Sequence, residues 1–472
     1  MTDYYKSQYL NIIKLDKSAL LFNGATGCLD EVSPNLGGAL DSAAALRLDF
    51  LSKDDIAFLE KRGHITPLAP TLEKERFKEL AGLLHDSSAK REKASSSIML
   101  LMSYNCNLNC SYCYQKQVRN KRPGAVMSER FIEKLFDEHF PKLFPGLTPE
   151  KTSITFYGGE PFLKEHQASV EKVLSYAAVH GIYCGAISNA TRIEHYADKM
   201  GPHPGQINFV QVSFDGDKNA HNKSRIGPED QATFDKIISN LHLLLNKKVR
   251  VNVRINMDVK RLESLDGLLK YLEEQEILHH PQAYVYIHPL HNHFNQTDDA
   301  TFMTTCQLSE KLSRYPAKVR HPIARRADGL RYLMQIQQGI ALNKTSFCMQ
   351  CMENSYVIDP FGDIYGCYEE AGREEFKIGQ LDDNGVSFLP LKETYLKRHI
   401  ANMPKCLGCS IALACGGCCG TLSREKTGNI YEPFCDDMKE MVLESIKHLY
   451  KEKYVAAVPA AAANQGLSQP HL

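Results

Sequence analysis

The sequence predicts an α/β protein centred on a partial (β/α) barrel of six strand–helix units, with a winged-helix-like unit before it and a cysteine-rich unit after it. Three observations carry that prediction. Strand-like and helical segments alternate between residue 96 and about residue 292, and such a rhythm implies a parallel sheet because parallel strands need crossover helices. Fifteen cysteines occur in 472 residues, most of them in two clusters at short spacings. The stretch around the second cluster is too poor in periodic apolar residues to build a core, so metal is expected to hold it together.

The bulk composition fits such a chain. Its length suits two or three domains, and a hydrophobic fraction of 43% with a charged fraction of 24% is that of a globular protein. Lys plus Arg equals Asp plus Glu, 56 each. That balance argues against a nucleic-acid partner, since such enzymes usually carry a basic excess. No apolar run has the length of a membrane span. The opening MTDYYKSQYLNIIKLD lacks the basic-then-apolar order of an export signal, so a cytoplasmic protein without a membrane partner is expected. In a reducing compartment, clustered cysteines mean metal rather than disulfides.

Residues 1–93 are read as the winged-helix-like unit. Leu10–Leu15 and Ala19–Phe22 look like strands leading to a turn at Asn23-Gly24. Ser52 and Asp55 can cap a helix that Gly63 ends, and a polar helix near Leu72–Leu84 precedes a loop, Ser87–Ser97. Residues 94–298 are the barrel, with strands expected at Ile98–Ser103, Ser153–Tyr157, Ile182–Ser188, Asn208–Phe214, Val249–Asn256 and Ala283–Pro289. Its clearest helix sets Phe234, Ile237, Ile238, Leu241 and Leu245 on one face, and the next strand alternates Val249, Val251, Val253, Ile255. A barrel of this kind carries its active site at the carboxyl ends of its strands. Residues 299–345 read as a helical connector, 346–450 as the cysteine-rich unit, and 451–472, low in complexity, as a disordered tail.

Directly after the first barrel strand, NCNLNCSYCYQ places Cys106, Cys110 and Cys113. Three thiolates in eight residues can wrap one face of a cubane and bind three of its irons. The fourth iron then keeps an open position, as catalytic metal sites do. A zinc site is the alternative; it would want a fourth Cys or His nearby, and none stands within about twenty residues.

The CxxxCxxC spacing, with Tyr112 before its last cysteine, resembles that of the radical S-adenosylmethionine (SAM) superfamily, and further matches follow in the family's order. Gly158-Gly159-Glu160-Pro161 ends the second strand and is similar to the GGEP segment that binds the SAM amino group. Glycines let a backbone approach a ligand closely, and a carboxylate suits an ammonium. The fourth strand, VQVSFDGDKNAHNKSR, resembles the SxDG…H…R stretch of peptide-modifying members. The resemblance implies that Ser213 contacts the ribose and that Arg225 pairs with the SAM carboxylate; read without it, they are a strand end and a surface arginine. Asn189 and Asn256, at two other strand ends, are further ligand candidates, and Asp215 is expected to support its turn. The chemistry so implied has the open iron chelate SAM and one electron cleave its sulfonium. The resulting 5′-deoxyadenosyl radical removes hydrogen from a substrate carbon, in a site that must be dry.

The second cluster holds Cys348 and Cys351, Gly362 and Cys367, then Cys406, Cys409, Cys415, the pair Cys418-Cys419, and Cys435. This GxxxxC, CxxCxxxxxCxxxC, C order is similar to the SPASM extension, which houses two auxiliary [4Fe–4S] clusters, so that three are implied in all. By the resemblance the first would use Cys348, Cys351, Cys367 and Cys419, and the second Cys406, Cys409, Cys415 and Cys435. Cys418 stays open as an alternative to Cys419. Two zinc ribbons share the spacing. Fully ligated clusters would serve electron transfer and shape the substrate channel. Cys28, Cys184 and Cys306 have no partner motif and read as small buried residues.

Other features are read as ordinary structure. HPLHNH, with His288, His291 and His293, follows a barrel strand, so that one histidine could face the active site, but is taken for a loop, and Glu369-Glu370 and Glu374-Glu375 for solvated charges. In the sulfatase-maturing enzymes that the chain resembles, an Asp base follows the cysteine of GxxxxC; here that place is Tyr368. A phenol with a pKa near ~10 is a poor base at neutral pH, which leaves packing or a relay. The expected activity is that of a radical SAM/SPASM maturase that installs a thioether or C–C cross-link in a ribosomally made precursor peptide. Sulfatase maturation (formylglycine formation) or another single-residue oxidation is the alternative. From another class, a zinc-bound peptide-binding protein without catalysis remains. The expected partners are the precursor peptide, gripped by residues 1–93 as an added edge strand, and a reducing donor such as ferredoxin or flavodoxin.

Overall fold

The computed structural model describes residues 4–42, 51–228, 231–290, 294, 302–312, 342–435 and 437–455. Most of the predicted connector and tail lie outside the described residues, as do His291, His293 and the side chain of Cys306.

The chain opens with Tyr5–Lys6 (β1), Leu10–Lys14 (β2), Ala19–Asn23 (β3) and Leu29–Val32 (β4). Strands β2, β3 and β4 form an antiparallel sheet in that order. Alternation gives this sheet two apolar faces. Leu10 and Leu21 pack with Leu40 and Leu59 of the helices Pro34–Ser42 and Lys53–Lys61. Ser52 and Asp55 make a reciprocal capping box at the start of the second of these, and Gly63, at φ +76°, follows its end. Ile65–Thr66 (β5) pairs with β1, and the helix Pro70–Glu92 leads onward. That helix replaces most of the loop predicted at Ser87–Ser97: the run Ala-Lys-Arg-Glu consists of strong helix formers and outweighs the two serines before it.

The barrel strands are Ser96–Leu101 (β6), Thr152–Tyr157 (β7), Cys184–Ser188 (β8), Ile207–Phe214 (β9), Arg250–Met257 (β10) and Ala283–Pro289 (β11), each parallel to the next. Helices such as Gln167–Val179, Phe234–Asn246 and Leu265–Glu274 connect them, giving the partial (β/α)6 barrel. Val251, Val253 and Ile255 face Ile237, Leu241 and Leu245 in the core between sheet and helices. The other half of β10, Asn252, Arg254 and Asn256, therefore turns to the barrel interior.

Ser355–Ile358 (β12) lies parallel against β6, and Asp363–Tyr365 (β13), Lys377–Asp382 (β14) and Gly385–Phe388 (β15) follow antiparallel, so one ten-stranded sheet runs from β11 to β15. The cysteine-rich region thus shares cores with its neighbours. Tyr356, Ile358, Ile364 and Leu381 join the barrel core, while Ile400, Met403, Ile411 and Val442 pack against Tyr9, Ile13, Leu20 and Phe22 on the second face of the N-terminal sheet. The Tyr9 hydroxyl donates to the Leu407 carbonyl at 2.7 Å across that contact. Gly362, at φ +81°, closes the β12–β13 hairpin where a Cβ would stand 2.3 Å from the Leu381 carbonyl oxygen. No helix among the described residues is long and apolar enough to cross a membrane.

Candidate active site at the carboxyl end of the barrel

The loop after β6 carries Cys106, Cys110 and Cys113; Cys110 is buried and the other two are half-buried. The Asn109 amide donates to the Ile226 carbonyl at 2.9 Å, and the Leu108 amide lies 3.4 Å from Cys106 Sγ. Burial pushes the Cys106 and Cys110 thiols up to about 12 and about 11, so they become thiolates only against a compensating cation, as metal ligands do. Among the described residues no three His, Cys, Asp or Glu side chains close on one metal-ion position. Thiols that hold a cubane stand at separate irons and are spaced more widely than the ligands of a single ion.

The segment after β7 lies directly on this loop. The Gly159 amide donates to the Ser103 carbonyl at 2.9 Å and the Glu160 amide to the Asn105 carbonyl at 2.8 Å. A Cβ on Gly158 would meet the Ser103 oxygen at 2.4 Å, and one on Gly159 the Asn105 oxygen at 1.9 Å. The two glycines thus let this backbone lie close against the segment between β6 and Cys106. The buried Glu160 carboxylate accepts from the Ser188 hydroxyl at 2.7 Å and from the Asn189 and Phe162 amides at 2.7 and 3.1 Å. Burial nevertheless raises its pKa to about 7. It braces the end of β8, from which Asn189 reaches Asn107 at 2.9 Å and Cys106 Sγ at 3.7 Å. Pro161 offers its carbonyl to His166 Nδ1 at 3.0 Å.

Tyr112 is the hub of the opposite side. Its hydroxyl donates to Asp215 Oδ1 at 2.8 Å and accepts from Arg225 Nη1 at 2.9 Å, and Asn256 Nδ2 donates to the same Asp215 oxygen at 3.0 Å. The Arg261 guanidinium lies 5.3 Å over the Tyr112 ring. Arg225 is buried, which removes its reading as a surface residue, and the side-chain partners of Asp215 are those of this network, Tyr112 and Asn256. Asp215 Oδ2 and the Nε atoms of Arg225 and Arg261 are buried without a hydrogen-bond partner. Arg261 Nε faces Asp215 Oδ2 as an ion pair at 4.0 Å, so the Nε of Arg225 is the donor left without a charged partner of its own. Ser213, half-buried on β9, sits opposite Arg254 on β10.

Arg254 was not anticipated. Its Nε donates to Asn256 Oδ1 at 2.9 Å, and its Nη2 lies 3.0 Å from His288 Nδ1. His288 is correspondingly on β11, within the strand expected at Ala283–Pro289, and beside the barrel interior, so the loop reading of HPLHNH does not hold at this residue. The available signal was the polar half of the β10 alternation, Asn252, Arg254 and Asn256, in a strand whose other half is all apolar.

The cysteine-rich region closes over this end. Tyr368 packs against the cluster that holds Tyr157, its ring 5.4 Å from that of Tyr157 and edge-on. Burial drives its phenol well above the usual range. Glu369 and Arg254 act electrostatically on both Tyr157 and Tyr368. Glu370 corrects the expectation of a solvated pair: it is wholly buried, ion-paired with Arg424 at 3.0 Å and bonded to the Tyr395 hydroxyl at 2.7 Å. Glu374 is exposed and pairs with Arg122 at 3.3 Å.

The remaining thiols form two groups. Cys348, Cys351, Cys367 and Cys419 influence one another's thiols, with burial the largest effect on each. Cys406 and Cys409, also raised chiefly by burial, sit with Cys415 and Cys435. Cys418 belongs to this second group: its Sγ is 3.3 Å from Cys415 Sγ, and its hydrogen bonds hold the Cys415 and Cys435 thiols down. The adjacent Cys419 faces the first group. Cys184 is buried, and Cys28 is half-buried.

Residues 100–273 match the family model for the radical SAM superfamily. The chain is 23% identical over 383 residues, 76% of its own length and 96% of the relative's, to a cysteine-type anaerobic sulfatase-maturating enzyme of Clostridium novyi. It is 27% identical over 154 residues, 31% of its length and 36% of the relative's, to a serine-type anaerobic sulfatase-maturating enzyme of Bacteroides thetaiotaomicron. A solved structure of native anSMEcpe with bound AdoMet and Cp18Cys peptide superimposes at a TM-score of 0.56 with 19% identity, covering 76% of this chain and 99% of that one; that likeness is one of fold.

Proposed function

We propose that this radical SAM enzyme oxidises a residue of a peptide, joining it to a second residue of the same peptide by a thioether or C–C bond. Cys106, Cys110 and Cys113 would hold the SAM-binding [4Fe–4S] cluster. Cys348, Cys351, Cys367 and Cys419 would hold one auxiliary cluster, and Cys406, Cys409, Cys415 and Cys435 the other. The donor sets fit, being thiols in two separate groups beyond the cysteine loop, with Cys351, Cys367, Cys406 and Cys415 buried, Cys348, Cys409 and Cys419 half-buried and Cys435 exposed. When bound, the first cluster supplies the electron that splits SAM and so the radical that removes hydrogen from the substrate.

The chain's own residues position and shield that event. The unbonded Nε of Arg225 suits a carboxylate, and Asp215 Oδ2, ion-paired with Arg261 Nε at 4.0 Å, keeps hydrogen-bond capacity for an ammonium or hydroxyl. Ser213 and Asn256 complete the polar wall, and Asn189 and Glu160 fix the cysteine loop against it. Tyr157, Tyr368 and Ile187 keep water from the opposite side.

The observation that carries the reading is the contact of Tyr368, next to Cys367, with Tyr157 at the barrel mouth. It links one auxiliary thiol group to the place where the substrate radical would form, as an oxidation that exports an electron requires. Among the described residues β4 is, like β2, an edge strand of the N-terminal sheet, and such an edge suits the addition of a leader-peptide strand. An external one-electron carrier of the ferredoxin or flavodoxin class would complete the circuit. A second reading, oxidation of one cysteine or serine to formylglycine, is favoured by the similarity to sulfatase-maturating enzymes over nearly the whole length of one of them; the phenol at position 368 counts against it.

Anaerobic incubation with SAM, a one-electron donor and candidate peptides tests both by mass spectrometry. Loss of hydrogen with sulfur retained and no aldehyde supports the cross-link, and an aldehyde that traps hydrazide supports formylglycine. Absence of 5′-deoxyadenosine under all conditions contradicts both.

A further inference from the structure

One buried charge plays no part in the function proposed above. Arg398, just beyond the helix Pro390–Leu396, is wholly buried. Its guanidinium donates to the carbonyls of Ile430 at 2.7 Å, Gly417 at 2.7 Å and Cys418 at 2.9 Å, and to the Ser423 hydroxyl at 3.2 Å. All four acceptors are neutral, and the buried carboxylate of the region, Glu370, is paired with Arg424. A cation so buried is costly unless negative charge stands close by.

The negative charge it can face is sulfur. The charge of Arg398 acts on Cys348 and Cys351 in one thiol group and on Cys406 in the other. The two carbonyls it binds, those of Gly417 and Cys418, belong to the short backbone link from Cys415 in one group to Cys419 in the other. The guanidinium therefore sits between the two thiol groups and braces the segment that joins them.

We propose that Arg398 sets the reduction potentials of the two auxiliary clusters, holding both above the values their thiolates alone would give. The proposal rests on the assignment of the two thiol groups to clusters. A cubane with four thiolates is an anion, and reduction adds one more negative charge. A fixed cation in a low-dielectric interior stabilises the reduced form more than the oxidised one. In the step concerned one electron passes to a cluster and no bond is made or broken. The donor is a substrate-centred radical in turnover and a reduced viologen in the test, and it is oxidised by one electron. Arg398 is in this sense a positioning residue for charge and touches no substrate.

The test is a potentiometric titration, followed by EPR, of the full-length chain with Cys106, Cys110 and Cys113 changed to Ala, so that only the auxiliary clusters report. Arg398→Gln is expected to lower the equilibrium constant for reduction by tenfold or more, about 59 mV for one electron, and Arg398→Lys, which keeps a charge, by less. Unchanged potentials at unchanged iron content overturn the proposal. If the Gln variant loses iron, the parent chain labelled with guanidino nitrogen-15 arginine decides. Its reduced auxiliary clusters should show a nitrogen-15 coupling that Arg398→Lys removes; no such coupling overturns the proposal. A parent chain without auxiliary iron would instead strike down the cluster assignment itself.

Discussion

The Tyr112 hydroxyl bridges Asp215 and Arg225, donating to the first at 2.8 Å and accepting from the second at 2.9 Å. An aromatic residue inside the cysteine motif is thereby tied to the end of β9, so the loop that holds the thiols and the wall proposed to hold SAM move as one body.

Tyr112→Phe should expose how much that tie contributes. It leaves Asp215 and Arg225 buried with one partner fewer, a loss of about 1–3 kcal/mol for unsatisfied groups of this kind. Thermal unfolding under anaerobic conditions should show the destabilisation, and equilibrium dialysis a SAM affinity reduced about tenfold on the same scale. Unchanged affinity would mean that the network is structural only.

Two glycines separate close approach from mere flexibility. Gly159→Ala puts a Cβ 1.9 Å from the Asn105 oxygen and must displace the backbone before Cys106. It is expected to lose at least about tenfold in SAM cleavage, on the scale by which small misplacements act, with auxiliary iron retained. Gly82→Ala, on a helix with nothing within 4 Å of the added carbon, should be neutral or stabilise by about 0.5–1 kcal/mol. Iron analysis and 5′-deoxyadenosine yield read both.

Arg254 occupies the interior between Asn256 and His288. Arg254→Gln should lower peptide product by about a hundredfold, the cost of a small misplacement of reacting groups, and lower SAM cleavage without substrate by much less, through Asn256. Equal losses in both would place Arg254 on SAM instead.

How much of this was legible follows from how local each signal is. Cys106, Cys110 and Cys113 lie within eight residues, so their pattern survives without any knowledge of the fold. The polar face of β10 was not legible, because Arg254 is recognisable as interior only once β9, β10 and β11 are known to curve into a barrel. Glu370 reads as a solvated charge in sequence, and Arg398 stands in no motif; their burial depends on partners such as Arg424 and Ile430, distant along the chain. The docking of Tyr9 on Leu407 is likewise a contact between the two ends of the chain that no local pattern encodes.

Asp359 gives a pH dependence whose sign can be stated. Burial first, and then the charge of Asp363, raise its pKa from an ordinary 3.8 to about 6, despite the Tyr104 hydroxyl at 2.8 Å and Arg122 at 3.2 Å. The folded chain thus binds this proton more tightly than the unfolded chain does. Its contribution to stability falls as pH rises from about 4 to about 6 and is flat above. Asp359→Asn should remove that part of the slope, so anaerobic unfolding across the window should show the variant's stability relative to the parent rising with pH. A difference independent of pH would contradict the shift.

The most direct measurement of the central claim is the EPR spectrum of the anaerobically reduced protein with and without SAM, in the parent chain and in Cys110→Ala. An iron of a cubane held by Cys106, Cys110 and Cys113 and open to SAM predicts a spectrum that changes when SAM is added. The change and the formation of 5′-deoxyadenosine should both be lost in Cys110→Ala. A colourless parent protein carrying zinc, or a SAM-dependent change that survives in Cys110→Ala, would contradict the account.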